Sequence, residues 1–402
     1  APGVAGDVQS LATASNSAFV SGFSSGGTLA SISATVPGFT PPTFTSAAHN
    51  IRYPTYQEWN LAVQQALGPK MSFTVNYVGN HGSDLAALNP ALNAYCDVAC
   101  TGALGVASFT GLPAAAPDTR FATITEAGNY GVSNYNGLTA SFTRSVSQSF
   151  QLQASFTWSH ALDDISNGGF LPFNFDTNTS VLSPQSPYNL KQYNYGNADY
   201  DSRKYATVTY VWHTPKLQSK ALDLLADWVV SGTLFAHTGY PFTAIDGTSS
   251  STLLSSNYGS TIFADSNVGP LSCSSSNKFN NYVNNPACMT PAEFTSPMIP
   301  GGVGGFGNQR RNQIYGPGYF DTDLTVMKSF RLPKWEGAEL QIGAQAFNIL
   351  NHPNFDQPIG NIGDPQFGYS VRTVSTPTSI FGSFLGADAS PRALQIRAQL
   401  TF

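Results

Sequence analysis

Within the last eleven residues of the chain, Arg392 to Phe402, apolar and polar side chains alternate. A period of two predicts a β-strand with one apolar and one polar face. The length suits a strand that crosses a membrane in a β-barrel, which needs about 9–11 residues, apolar toward lipid and polar toward the lumen. A strand of a soluble β-sheet is the other interpretation of these residues. The apolar positions of this predicted barrel-closing strand are Leu394, Ile396, Ala398, Leu400 and Phe402.

The same two-sided pattern recurs along most of the chain. Residues 1–50 are a low-complexity segment rich in Ser, Gly and Ala, with weak strands expected at Ser17–Phe23 and Thr28–Val36. Residues 51–402 form the predicted barrel region. Its expected strands cover residues 55–67, 71–79, 135–144, 150–160, 203–212, 228–237, 319–332, 338–350 and 392–402.

The connections between these strands alternate in length. Those near residues 68, 147 and 335 are short and the one near 220 is moderate, whereas those that begin near 80, 161, 238 and 351 are long. Bacterial outer-membrane barrels have short periplasmic turns and longer extracellular loops. We therefore predict an all-β fold, an antiparallel transmembrane β-barrel or partial barrel in the bacterial outer membrane. Its C-terminus would be periplasmic and its cysteine-bearing loops extracellular.

Composition agrees with this fold and excludes several function classes. Only 10% of the residues are charged, against about 25% in soluble domains, and no run of about 20 apolar residues could form a membrane helix. The net charge of −5, without a basic run, excludes nucleic acid as a partner. Ala1–Ser10 lacks the pattern of a signal peptide, so either a signal peptide has been removed or the numbering begins inside a longer precursor, and we favour the second.

Four cysteines occur as two local couples, Cys96 with Cys100 and Cys273 with Cys288. Four cysteines permit three connectivities, of which pairing within each couple is the simplest. Neither couple has the additional His or Cys ligands that a zinc site requires. The sequence therefore predicts disulfides, an oxidising compartment and no metal or cofactor.

No combination of residues indicates catalysis, so we do not expect an enzyme. Gly302–Gly307 matches a dinucleotide-binding pattern in letters, but no βαβ unit surrounds it. His160 with Asp163 and Asp164 is expected to be a group of solvated polar residues at a strand end. For Asp199, Asp201 and Arg203 in the next connection, a local Asp–Arg ion pair is favoured, and a cation site is the alternative.

A tyrosine-rich loop at residues 187–200 supplies the candidate ligand contacts. Aromatic faces among asparagine side chains suit an oligosaccharide or a peptide, because each ring offers apolar area with a polar edge. A loop that packs on itself is the alternative. The candidate residues are Tyr188, Tyr193, Tyr195 and Tyr200.

Several stretches resemble the C-terminal β-barrel region of the Oar-like TonB-dependent outer-membrane receptors and transporters of the acidobacterial type. They include YQEWNLAVQQAL, NYNGLTASFTRSVSQSFQLQASFTWSHALDD and FGNQRRNQIYGPGYFDTDLTVMKSF. The resemblance implies binding or passage of a bulky ligand, and TonB as a partner through a plug region that precedes the barrel. The alternating ending with Phe402 also resembles the signal that the barrel-assembly machinery reads. A non-transporting surface, adhesive or structural assembly protein on the same scaffold is the alternative function.

Overall fold

The computed structural model describes most of the chain. The described residues are 43–89, 91–119, 121–144, 149–164, 166, 186–189, 194–215, 226–254, 261–267, 271–272, 292–332, 338–355, 357–371, 392–401 and scattered positions between 13 and 32.

Strands dominate this part of the molecule. They are β1 (Phe44–Ala47), β2 (Thr55–Ala66), β3 (Met71–Asn89), β4 (Ser108–Phe109), β5 (Ile124–Arg144), β6 (Phe150–Asp163), β7 (Gly196–Asn197), β8 (Lys204–His213), β9 (Trp228–His237), β10 (Pro241–Phe242), β11 (Asp265–Ser266), β12 (Leu271–Ser272), β13 (Phe294–Thr295), β14 (Val303–Gly304), β15 (Ile314–Tyr315), β16 (Tyr319–Arg331), β17 (Glu339–Phe347) and β18 (Ala393–Thr401). The helices are α1 (Val98–Leu104) and α2 (Gly247–Leu254). No helix in the described ranges is long and apolar enough to span a membrane.

Nine long strands form one antiparallel sheet in the order β2-β3-β5-β6-β8-β9-β16-β17-β18. Each long strand pairs with the next long strand along the chain, so the sheet is an up-and-down meander. The short connections therefore all lie at one end of the sheet and the long connections all lie at the other. The nine strands expected in residues 51–402 and the separation of short from long connections are confirmed.

The β2–β3 turn shows how a short connection forms. Gly68 has a positive φ of 87°, a conformation that glycine adopts without steric cost. The Leu67 N–H donates to the Met71 carbonyl at 2.8 Å, which closes the turn. The register from Val63 opposite Val75 then keeps apolar side chains on the same face of both strands.

One face of the sheet is an apolar belt that remains exposed. Val75, Ala140, Phe156 and Ala206 lie opposite one another across β3, β5, β6 and β8. Phe156 is 46% exposed in spite of its size. Exposed apolar area on this scale is typical of a surface that contacts lipid or another protein.

The opposite face is polar and carries hydrogen bonds between neighbouring strands. The Thr139 and Thr157 hydroxyls lie 2.9 Å apart, and the Ser141 and Ser155 hydroxyls lie 3.1 Å apart. Such pairs contribute to sheet stability without charge. An apolar outer face and a polar inner face are the two surfaces of a transmembrane barrel wall.

The long connections pack on one another and form a loop cap, which we define as the described parts of residues 91–119, 238–318 and 348–371. Two buried clusters hold the loop cap together, and short strand pairs such as β10–β15 and β4–β14 add hydrogen bonds. The first cluster contains Ala91, Ala94, Cys96, Cys100, Val106, Phe109, Leu112, Leu253, Ile262, Met298 and Phe306. The second contains Phe242, Ala244, Ala264, Phe294, Ile314 and Phe367. The loops at this end therefore have their own hydrophobic core.

A disulfide joins Cys96 and Cys100 inside the first cluster, as local pairing predicts. Asp97 caps α1 by accepting a hydrogen bond from the Cys100 N–H at 2.9 Å, and the helix ends at Gly105, whose φ is 72°. Cys273 and Cys288 lie outside the described residues.

The N-terminal segment differs from its sequence-based expectation. Residues 16–18 and 20–22 are helical where a strand was expected, and so are residues 31 and 32. Both stretches are rich in small residues such as Ser, Ala and Gly and have no continuous apolar face, which makes their alternation a weak guide to strands. The strand that does form nearby is β1, which pairs in parallel with the start of β5.

Candidate functional site

The loop cap is fixed to the barrel wall by two ion-pair clusters, one buried and one partly buried, and this junction is the candidate site. Arg311 lies in the connection between β9 and β16. Its Nη1 is 2.9 Å from Asp163 Oδ1, and its Nη2 is 3.0 Å from Asp199 Oδ1 and also bonds the Ser166 hydroxyl. Nη1 also donates to the carbonyls of Asp163 and Asn194, each at 3.2 Å. We call this group the Arg311 latch, because it ties a cap loop to the end of β6 and to the β6–β8 connection.

The charge of Arg311 is stabilised by these partners. Burial alone disfavours the charged guanidinium, but the carboxylates of Asp163 and Asp199 outweigh that effect and raise the pKa of Arg311. Asp163 and Asp164 are only 3% and 6% exposed, so the expectation that they are solvated was wrong. Folding of the cap over the strand end removes them from water, which the local sequence does not reveal.

A second cluster, the Arg203 cluster, lies at the start of β8. Arg203 Nε is 2.6 Å from Asp201 Oδ2 and donates to Tyr315 Oη at 2.9 Å. The Tyr315 hydroxyl donates to Asp201 Oδ2 at 2.7 Å, and Asp201 Oδ1 accepts from the Ala161 N–H at 2.8 Å. Arg203 Nη2 lies 2.8 Å from His160 Nε2. The predicted Asp–Arg ion pair is thus confirmed, and its carboxylate is saturated by protein donors.

Asn312 lies at the junction, between the Arg311 latch and the Arg203 cluster. Its Nδ2 donates to the Asn197 carbonyl at 2.8 Å and to Asp199 Oδ1 at 2.6 Å. Its φ of 58° lies in the left-handed region, where asparagine is tolerated better than most residues. The Asn312 N–H donates to the Thr243 hydroxyl at 2.8 Å, which holds this conformation.

Sequence reasoning missed Arg311, Asn312 and Tyr315. The available signal was the pair Arg310–Arg311 inside a long loop of a chain with few charges. A charged residue is seldom buried without a partner, so two acidic residues near another strand end were the candidates for pairing. Nothing in the local sequence says which arginine turns inward.

The tyrosines of the candidate ligand loop occupy different surroundings. The Tyr188 hydroxyl donates to the carbonyls of Leu92 and Ala94 at 3.0 and 2.7 Å, while its ring remains partly exposed. Tyr195 Oη accepts from Asn134 Nδ2 at 2.8 Å. Tyr200 is partly exposed beside the Arg311 latch, and Tyr193 lies outside the described residues. Their contact with a ligand stays a prediction.

A further aromatic group lies on the polar face below the loop cap. His237 stacks on Tyr319 with ring centroids 5.3 Å apart, and Tyr205 meets Phe235 edge to face at 4.9 Å. Tyr240 approaches His237 from the cap side with centroids 5.0 Å apart. Aromatic rings therefore lie on the inner wall where β8, β9 and β16 meet the cap.

The stability of the junction is expected to depend on pH because of Asp164. Burial raises its pKa to about 6, although Oδ1 accepts the Val132 N–H at 2.8 Å. A carboxyl group with a raised pKa in the folded state stabilises the fold at low pH and loses that contribution as pH rises through about 6. Asp164→Asn keeps the acceptor and is expected to stabilise the folded protein at pH 7.5 by up to about 3 kcal/mol.

The gain from Asp164→Asn should vanish below about pH 4, where the carboxyl group is protonated in both states. Denaturant unfolding in detergent micelles at several pH values measures it. Burial also raises the pKa of Asp163, but Arg311 offsets part of that effect, so Asp163→Asn should gain clearly less stability at pH 7.5 because Arg311 then loses one of its carboxylates. Equal effects of both substitutions would contradict this assignment.

A comparison with known proteins identifies the family of this chain. The sequence profile of the family described as "Outer membrane beta barrel domain" matches residues 3–395. No curated protein sequence matches the chain.

Solved structures share only a low level of similarity with it. The outer membrane transporter YddB from Escherichia coli is 12% identical, with 90% of this chain and 34% of that chain covered and a TM-score of 0.42. The FrpB iron transporter from Neisseria meningitidis is 9% identical, with 89% and 33% covered and a TM-score of 0.36. P. aeruginosa FpvA is 8% identical, with 86% and 26% covered and a TM-score of 0.37. The chain thus spans about a third or less of the length of these proteins. On the strength of the profile match, which covers nearly its whole length, the chain belongs to the outer membrane β-barrel domain family.

Proposed function

We propose that this chain provides wall and loop cap for an outer-membrane β-barrel of the Oar-like TonB-dependent type, which binds or passes a bulky ligand such as an oligosaccharide or a peptide. The observation that carries the proposal is the cap itself. A folded loop layer with its own core lies over one end of the sheet and is joined to the wall through Arg311 and Arg203. A layer of this kind holds binding side chains in fixed positions.

The proposed orientation places the loop cap outside the cell and the short turns in the periplasm. The Cys96–Cys100 disulfide supports an oxidising surrounding for the cap. β18 then ends in the periplasm, where the barrel-assembly machinery would read the alternating strand and Phe402. Lipid surrounds the apolar belt, and TonB would act through a plug region on the periplasmic side.

The proposed ligand contacts are the exposed rings of the tyrosine loop and the inner aromatic group below it. Tyr188 and Tyr200 are 44% and 43% exposed, so part of each ring is accessible to a ligand. The bond from the Tyr188 hydroxyl to the cap backbone fixes one end of that ring and lowers the entropy cost of binding.

Removal of these rings should weaken binding without unfolding the cap. We expect Tyr188→Ala and Tyr200→Ala each to reduce affinity roughly 3- to 10-fold, since a ring contact contributes about 0.5–1.5 kcal/mol. The probes are defined plant and bacterial oligosaccharides and peptides of about ten residues, measured by calorimetry with the detergent-solubilised protein. Tyr53→Ala is the control, because Tyr53 is 94% exposed and lies outside the loop. Binding of a probe that all three variants retain would overturn the assignment of the loop.

The Arg311 latch also supports a second, non-transporting function. Ion pairs as buried as those of Arg311 would hold a cap closed, which suits a non-transporting surface, adhesive or structural assembly protein. The two functions differ in their need for energy. Uptake of a bound, fluorescently labelled probe that stops in cells without TonB supports transport, whereas surface binding that is unchanged in those cells supports the second function.

A further inference from the structure

Two carboxylates lie on the inner face of β16, next to the inner aromatic group. Asp321 ends a row of residues paired across four strands, in which Ser155, Thr207, Phe235 and Asp321 lie opposite one another. Asp323 follows two residues later and therefore lies on the same face. Because Ser155 belongs to the polar inner face, both carboxylates belong to it as well.

Neither carboxylate has a cation as its partner within the described ranges. Asp321 is only 5% exposed, and its Oδ1 has no hydrogen-bond partner there. Asp323 Oδ1 accepts a hydrogen bond from the Asn348 N–H, a neutral donor, at 3.0 Å. None of the ion pairs among the described residues includes either aspartate. A charge removed from water is costly unless an opposite charge compensates it, so a cationic group is the partner that these aspartates require.

The cations of the inner face lie farther from the loop cap. Arg331 is the last residue of β16, at the short-turn end, and Arg397 lies opposite Gly343. Gly343 in turn lies opposite Met327, four residues from Asp323 toward the short turns. In these described strands the inner face nearest to the cap is therefore acidic. A wall lined by one sign of charge raises the local concentration of ligands of the opposite sign.

The ring of Phe235 supplies apolar area beside the carboxylates. It meets Tyr205 and Tyr319 edge to face, with ring centroids 4.9 and 5.6 Å apart, and these contacts hold it in place. Thr233, which lies opposite Asp323, is exposed and leaves that side of the pair open to the lumen. Arginine and lysine side chains combine an apolar stem with a charged head, and a guanidinium can bond a carboxylate at two points. The surroundings therefore suit a basic side chain.

We propose that Asp321, Asp323 and Phe235 form a binding site for the guanidinium or ammonium group of a basic peptide. The inference rests on the proposed function and narrows its ligand to a peptide that contains arginine or lysine. The stem of the ligand side chain packs on Phe235, while its head bonds Asp323 and compensates the charge of Asp321. An uncharged oligosaccharide would leave both negative charges without a counter-ion.

Binding of matched peptides to the detergent-solubilised protein tests this site. The probes are fluorescently labelled peptides of glycine and serine with arginine, citrulline or glutamate at the centre, and fluorescence anisotropy gives their affinities. Citrulline keeps the shape of arginine but carries no charge. The test variant combines Asp321→Asn with Asp323→Asn, and Glu58→Gln is the control. Glu58 is an inner-face carboxylate on β2 that accepts a hydrogen bond from Asn80 Nδ2 at 3.0 Å.

The arginine peptide is expected to bind roughly tenfold more tightly than the citrulline peptide, which corresponds to one hydrogen bond to a charged group. The double variant should lose this preference, Glu58→Gln should keep it, and added salt should weaken it. Without peptide, the midpoint of thermal unfolding of the double variant should stay unchanged or rise, because the substitutions remove uncompensated charge. A clearly lower midpoint would reveal a structural partner of the aspartates and contradict the proposal.

Equal affinity for the arginine and citrulline peptides would overturn the proposal, and so would a preference that survives in the double variant. Arginine amide alone should bind more weakly than the arginine peptide, and equal affinity would assign the site to small cations instead of peptides. Binding of a neutral oligosaccharide that depends on Tyr188 and Tyr200, without any preference for arginine, would leave the proposed function standing while this inference fails. If no probe bound the wild-type protein, both would fail.

Discussion

Replacing Arg311 with methionine is expected to release the loop cap and to lower the free energy of unfolding by about 3–5 kcal/mol, the cost of breaking a buried ion pair from one side. Asp163 and Asp199 would remain buried without their guanidinium, and two carbonyls would lose a donor. Methionine has a similar volume, so the loss reports charge pairing and not a cavity. Denaturant unfolding and limited proteolysis of the cap loops measure the effect.

The adjacent Arg310 provides the matched control, because its side chain is exposed. Arg310→Met should change stability by less than about 0.5 kcal/mol, as surface substitutions usually do. Adding Asp163→Asn and Asp199→Asn to Arg311→Met should recover part of the loss, because no uncompensated charge then stays buried. If Arg310→Met and Arg311→Met were equally mild, the latch would not hold the cap.

Placing an arginine in the middle of the apolar belt should be almost as costly. Phe156→Arg is expected to destabilise the barrel by about 2–4 kcal/mol in lipid, the cost of a cation at the midplane of a membrane-facing strand. Ser155→Arg, one residue away on the polar face, should cost much less because the inner face is wet. Phe156→Ala separates the loss of the ring from the introduction of charge. Unfolding in lipid vesicles, followed by heat-modifiable gel mobility, gives the three values.

The contrast between the two faces decides the environment of the sheet. If Ser155→Arg and Phe156→Arg were equally harmful, both faces would be buried in protein and the membrane assignment would fail. Equally harmless substitutions would place both faces in water.

The long strands could be predicted from the sequence because the two faces of each strand have different environments, one apolar and one polar. The period of two in residues 150–160 needs no knowledge of distant residues, and β6 begins at the expected position. The prediction failed where that asymmetry ends. β3 continues to Asn89, ten residues beyond the expected end at Gly79, through the stretch NHGSDLAALN, in which the register shifts between Gly82 and Ala87. Each shift of register interrupts the alternation of apolar and polar residues, so a period of two no longer marks the strand there.

The junction could not be predicted because its partners are distant in sequence. Arg311 and Asp163 are 148 residues apart, and only the folded meander brings their loops to the same end. Asp201 and Arg203 are neighbours in the chain, so their pairing was accessible to local reasoning. The two ion pairs differ in the sequence separation of their partners and not in their chemistry.

β5 is longer than one membrane crossing requires. β5 has 21 residues, which at about 3.3 Å per residue extend roughly 70 Å. With a tilt of about 40° and an apolar band of about 25 Å, about half of the height of β5 lies outside the apolar band. In the proposed orientation, the extended ends of β3 and β5 would therefore hold the first cap loop outside the bilayer.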